Sequence, residues 1–185
     1  MLKNIWEFLK IVIVSLLIIL PIRYFIIQPF YVKGASMEPN FHDREYLIID
    51  EISYRFNEPQ RGQVIVFRYP NNPQEYFIKR VIGLPGDTIE MIDGKIIIRN
   101  GDNPDGFQLN ENKYLADSVK TYAINEEPVV LGDNEYFVLG DNRYASKDSR
   151  TFGSLNKTYI TGKVLLRAWP FSNFSLFDYS NIYNN

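Results

Sequence analysis

Residues 11–22 read IVIVSLLIILPI, a run without a charge inside a longer apolar stretch at 5–27, and nothing else in the sequence limits the fold so strongly. A helix of about 20 residues crosses roughly 30 Å of hydrocarbon, so residues 5–27 can span a bilayer if Lys10 and Arg23 reach toward opposite interfaces. Apart from Ser15, every face of residues 11–20 is apolar, whereas a helix lying on a soluble domain shows one apolar stripe. Pro21 is tolerable near the end of a spanning helix. A cleaved export signal shares the basic start and apolar centre, but residues 22–27 offer no small-x-small cleavage site. The stretch is therefore expected to stay as an anchor. Lys3 and Lys10 precede it while Arg23 and Lys33 follow it, so charge counting leaves the orientation open. From residue 27 to Ser36 the chain reaches at most about 30 Å, which keeps Ser36 close to the membrane surface, with Phe30 and Tyr31 at headgroup level.

At 185 residues the chain has room for the anchor and one domain with its own core. After residue 40 the pattern turns to short runs of Ile, Val, Phe and Tyr broken by Gly, Pro, Asn and Asp, the signature of antiparallel β structure. Strands are expected at 46–50, 63–69, 76–82, 88–92, 95–99, 135–139 and 163–168. Asp93-Gly94 supplies the two positive φ angles of a type I′ turn, so residues 90–98 read as a hairpin. Residues 100–112 are mainly Asn, Asp, Gly and Glu and read as a surface loop. Gly132-Asp133-Asn134 and Gly140-Asp141-Asn142 read as two turns flanking one strand. The expected fold is mainly β, an antiparallel sheet or barrel-like catalytic domain after one transmembrane helix.

Composition removes most chemistries. With no cysteine there is no disulfide, thiol nucleophile or thiolate metal site, and His42 alone cannot build a multi-histidine zinc site. A net charge of -2 with scattered Lys and Arg leaves no basic field for nucleic acid. A serine nucleophile with a lysine base needs none of these. Serine is protonated at neutral pH and requires an adjacent base. Lysine can serve only when neutral, which takes a fall of roughly 3 pH units from about 10.4 by desolvation. Ser36 follows the anchor in Gly34-Ala35-Ser36-Met37-Glu38-Pro39, and strand alternation sets Lys79 on one face with Phe77 and Val81. Pattern alone also allows an ordinary strand-end cation and a loop serine.

Four ordered segments resemble type I signal peptidases, the membrane-bound serine proteases that remove signal peptides. Residues 34–39 look like the nucleophile box, Arg61-Gly62-Gln63-Val64-Ile65-Val66-Phe67 like the strand after it, and residues 76–87 like the general-base box. Residues 140–150 resemble the last box, and the likeness runs from the anchor through Trp169-Pro170. The resemblance implies Ser36 as nucleophile, Lys79 as general base and Ser146 as the hydroxyl that orients the lysine amine. It implies a supporting ion-pair cluster of Asp148, Arg150 and Arg80, with Asp141 a structural acid beside the site. Gly34 stands where the best-known Gram-negative pattern has a serine that lends its hydroxyl to the oxyanion hole. Tyr144-Ala145 likewise stands in place of an acid-Asn pair.

The same resemblance implies residues 1–4 in the cytoplasm, an anchor at 5–27 and an extracytoplasmic catalytic domain at 28–185. It further implies signal-peptide-bearing preproteins as substrates, the lipid bilayer as a partner, no cofactor, no metal and no obligate protein partner. Two rivals share parts of the pattern. A self-cleaving repressor-type Ser/Lys protease has the dyad but would need a DNA-binding segment, and a non-catalytic relative that only binds precursors would not need Ser36, Lys79 and Ser146. His42, six residues after Ser36 in a polar loop, is expected at the surface rather than as a base.

Overall fold

The computed structural model describes residues 2–25, 27–125 and 127–179, with side chains of the first helix described at 5–20. In chain order the elements are α1 (Leu2–Phe25), β1 (Ile27–Tyr31), β2 (Tyr46–Asp50), β3 (Val64–Tyr69), β4 (Asn72–Gly83), β5 (Thr88–Ile92), β6 (Lys95–Arg99), β7 (Phe107–Gln108), β8 (Val129–Val130), β9 (Glu135–Leu139), α2 (Ser149–Phe152), β10 (Leu155–Asn156), β11 (Ile160–Trp169) and β12 (Ser175–Leu176). The protein is mainly β, as expected. The larger sheet runs β1-β2-β11-β3-β4-β9-β10 with β12 paired to β11, and the smaller runs β7-β6-β5-β8. The described strand pairings are antiparallel.

A strand buried on both faces reads as an unbroken apolar run, and β3 is such a strand over residues 64–67. Val64 and Val66 pack with Leu47, Ile49, Ile78 and Val164, while Ile65 and Phe67 face Val81, Tyr136, Val138 and Leu155. A third cluster, including Ile82, Ile89, Ile98, Phe137 and Leu139, fastens the small sheet to β4 and β9. The core of the large sheet therefore lies on both sides of β3, and β4 beside it carries Lys79.

The hairpin at 90–98 forms as expected, with φ of 52° at Asp93 and 76° at Gly94. Two expectations change. β1 follows α1 almost directly, although its sequence IQPFY contains Pro29; an end strand tolerates proline because one row of its backbone groups needs no partner. The stretch 100–112 contains β7, a two-residue strand too short to display a period.

The described apolar side chains of α1 lie open on every side, among them Trp6, Phe8, Ile11, Val14, Leu17 and Ile18. Lys10 pairs with Glu7 at 2.9 Å near its start. Among the described residues no helix is long and apolar enough to cross a membrane. The side chains of residues 1–4, expected in the cytoplasm, and of 21–27, expected to complete the anchor, lie outside the described residues.

Candidate active site

Ser36 lies in the loop between β1 and β2, and the residues around it explain why it is held still. Met37 and Phe41 are buried in the core beside β3, and the Asn40 and Phe41 N–H groups both donate to the Met37 carbonyl, at 3.0 and 2.9 Å. The loop thus plugs into the core one residue after Ser36, leaving that side chain half-buried at the foot of an open groove. The groove has a volume of about 640 Å³ and is lined by Phe30, Tyr31, Gly34, Ser36, Tyr76, Phe77, Lys79, Ala145 and Lys147, among others.

Lys79 enters from β4, opposite Ile65 of β3. Its Nζ donates to Ser36 Oγ at 2.7 Å and to the Ile78 carbonyl at 2.8 Å, and it sits 5.3 Å from the centre of the Phe77 ring. Only 3% of Lys79 is exposed. Burial pushes its amine down from 10.5 to about 8, with the charges of Asp148 and Asp141 pulling the other way. The Ser36 N–H donates to no protein acceptor among the described residues.

The remaining predicted residues fall into two ion pairs and two single positions. Arg80 binds Asp141 through two parallel bonds of 2.8 and 2.7 Å, donates to the Gly62 carbonyl and lies 4.0 Å over the Tyr114 ring. Asp148 pairs with Arg150 at 2.8 Å and also accepts from the Gly140 N–H at 3.0 Å. Asp148 therefore does not share Arg80, so the implied single cluster is two separate pairs. Ser146 Oγ is buried and has no hydrogen-bond partner among the described residues, so the implied bond from Ser146 to the lysine amine is not formed. Gly34 has φ of 88°, and its N–H is held by Asp43 Oδ1 at 2.8 Å. A serine in that left-handed conformation would be strained, which accounts for glycine there. His42 is exposed and its nearest acid is Glu38 at 3.8 Å.

Several residues that sequence reasoning missed fix the loop from outside. The Asn142 N–H donates to the Ser36 carbonyl and its side-chain amide to the Ala35 carbonyl, each at 3.1 Å. Asn40 Nδ2 donates to Asp141 Oδ2 at 2.8 Å, and the Asn40 carbonyl accepts from Arg167 of β11. The Arg167 guanidinium lies against the contacting rings of Phe41 and Phe177, 5.4 and 5.5 Å from their centres. Gly140-Asp141-Asn142 was read as a turn and as the start of the last box of the resemblance, with no role given to Asn142, and no local pattern reveals which strand Arg167 faces.

Gly140 is required by close approach. A Cβ there would lie 2.4 Å from the Ser36 carbonyl oxygen and 2.2 Å from Ser146 Oγ. Gly140→Ala is therefore expected to move the nucleophile loop, costing about 1–3 kcal/mol in stability. It should also slow cleavage on the order of 10²-fold through misplacement of Ser36. Thermal melts and cleavage rates check this, and full activity in the variant would show that the two loops yield without displacing the hydroxyl.

A serine hydroxyl met at hydrogen-bond distance by a desolvated lysine amine, at the foot of a groove on an antiparallel scaffold, defines the class: a serine peptidase. A family model described as signal peptidase, peptidase S26, matches residues 5–169. The chain is 35% identical over 181 residues to signal peptidase IB of Staphylococcus aureus strain COL, covering 93% of each protein. It is 34% identical over 174 residues to a probable signal peptidase I-2 of Synechocystis, covering 91% of this chain and 75% of that relative. A crystal structure of a signal peptidase I from Enterococcus faecalis V583 aligns with a TM-score of 0.46 at 31% identity, over 58% of this chain and 97% of that one. The chain belongs to the signal peptidase family, peptidase S26.

Proposed function

We propose that the protein is a membrane-anchored serine endopeptidase that removes N-terminal signal peptides from exported preproteins, using Ser36 and Lys79 through an acyl-enzyme. The observation that carries this reading is the 2.7 Å contact between Lys79 Nζ and Ser36 Oγ with the amine buried. In this mechanism neutral Lys79 takes the Ser36 proton as Oγ attacks the scissile carbonyl, then returns it to the leaving amine. Water, deprotonated by the same amine, hydrolyses the ester. The Ser36 N–H is the first oxyanion donor, since no acceptor among the described residues competes for it. Ser146, with an unpaired buried hydroxyl, is the neighbouring donor or acceptor for the amine once its proton has moved.

An extended substrate fits the groove because β1 is an end strand of the large sheet, and Phe30 and Tyr31 of β1 form one wall. Its unpaired edge can take one more strand, with small side chains such as Ala facing the enclosed floor. The exposed apolar surface of α1 supports the anchor, because that much unpartnered hydrocarbon belongs in lipid rather than water. In this reading the N-terminus is cytoplasmic and residues 28–185 lie outside.

The dyad is tested by the pH dependence of kcat/KM on a peptide with an Ala-x-Ala site. Because the required form of Lys79 is neutral and its pKa lies near 8, the rate should rise about tenfold per pH unit below 8 and level off above it. A rise that continues toward pH 10 would mean an ordinary solvated lysine and would sink the assignment.

A further inference from the structure

A second cavity, of about 410 Å³, lies at the start of β1 and is bordered by Gln28, Glu51, Arg55, Arg68, Tyr76 and Thr161. Gln28 follows Phe25, the last residue of α1, by three positions, so chain length alone keeps the cavity within about 10 Å of the helix end. Arg68 is the one exposed residue of the otherwise buried β3, paired in register with Tyr76. It uses one guanidinium N–H on the Thr158 carbonyl at 3.2 Å. Arg55 ends the 3-10 turn after β2, and its guanidinium makes no hydrogen bond among the described residues. Phe56 comes next and is 81% exposed, more than any other large apolar side chain described.

These features have one chemistry in common. Two guanidiniums against the single carboxylate of Glu51 leave the cavity positive, and arginine forks match the geometry of phosphate oxygens. Hydroxyls of Tyr76 and Thr161 and the Gln28 amide supply further donors around the rim. An aromatic ring next in the chain to Arg55, which borders this cavity near the end of an apolar helix, suits the boundary where headgroup meets acyl chain. In water alone that ring would stay exposed without a partner.

We propose that this cavity binds the phosphate diester of an anionic phospholipid, with Arg55 and Arg68 on the phosphate and Phe56 in the adjoining acyl region. The proposal rests on the anchor reading given above, because a membrane-seated helix end is what brings lipid to this place. Bound there, lipid would hold the body in one attitude to the bilayer, with the catalytic groove on the far side of Tyr76, which borders both cavities.

The test uses the full-length protein in non-ionic detergent at constant ionic strength, titrated with dihexanoylphosphatidylglycerol, dihexanoylphosphatidylcholine or inorganic phosphate. The anionic lipid should raise Tm by a few degrees at saturation, while the zwitterionic lipid and free phosphate leave it within about 1 °C. In Arg55→Gln/Arg68→Gln the rise should vanish, with cleavage of a soluble Ala-x-Ala peptide within twofold of wild type. Each single replacement should raise the half-saturating lipid concentration about tenfold, which decides the matter if the double variant folds poorly. No rise with the anionic lipid, an equal rise with either control, or a rise that survives the replacements overturns the proposal. Absence of peptidase activity in wild type would overturn the proposed function and leave the lipid titration readable.

Discussion

Ser36→Ala and Lys79→Met each abolish cleavage of a precursor bearing an Ala-x-Ala site, with a loss on the order of 10⁴-fold or more, while the protein stays folded. Removing a nucleophile or its base from a unit that works together costs about as much as removing both, so the double variant should be no slower than either single one. The stability of Lys79→Met separates this from simple damage. The folded pKa of Lys79 is lowered, so the folded state binds fewer protons than the unfolded chain between about pH 8 and 10.5. Wild-type stability therefore gains on the methionine variant as pH rises through that window, and the deficit is full below it. At about 1.4 kcal/mol per pH unit, the buried charge costs about 3 kcal/mol at neutral pH. Lost hydrogen bonds to Ser36 Oγ and the Ile78 carbonyl offset part of that gain. The expected result is an inactive protein with an equal or higher Tm at pH 7, and an advantage that disappears above pH 10.5. A Lys79→Met protein that still cuts would remove lysine from the chemistry, and one that unfolds would assign it a structural part.

Local pattern made Ser36 and Lys79 candidates and no more, because Phe77 and Val81 beside Lys79 suit a desolvated amine and an ordinary strand alike; the resemblance of residues 34–39 and 76–87 to two signal peptidase boxes singled them out. The strands at 46–50, 88–92, 95–99 and 135–139 were legible because each is a short run rich in Ile, Val, Phe, Leu or Tyr set between turn residues. What fixes the site geometrically was not. Asn142 reaching the Ser36 carbonyl, and Arg167 reaching Asn40, join segments 106 and 127 positions apart by sequence number. Such contacts depend on strand order, which places β11 between β2 and β3 and cannot be read from hydropathy. The pairing of Arg80 with Asp141, rather than with Asp148, follows from that same order, because β9 delivers residue 141 to the end of β4. β1 escaped notice through Pro29, which argues for an interruption unless one knows that the strand lies at a sheet end.

Asp141→Ala should be the most destabilising single change in the body of the protein. Arg80 is 4% exposed, and Asp141 meets its guanidinium through two bonds. Removing the acid leaves a buried cation without a counter-charge, a change worth about 3–5 kcal/mol. For a chain of this size, that is a fall in Tm of roughly 6–20 °C. Asn40 loses its bond to the same carboxylate, so the nucleophile loop loosens as well and cleavage should fall with stability. Replacing both partners, as Arg80→Met with Asp141→Leu, should recover most of the stability, because no charge is then stranded. Activity should recover less than stability, since Asn40 still lacks its bond to the carboxylate. The residual activity of Asp141→Ala carries a separate signal. Asp141 is one of two acids whose charge raises the Lys79 pKa against burial, so its loss should lower that pKa further and move the rising limb of the pH profile below 8. A purely structural acid would reduce the rate at every pH and leave the limb in place. A displaced limb ties Asp141 to the base electrostatically, across the Arg80 that it neutralises.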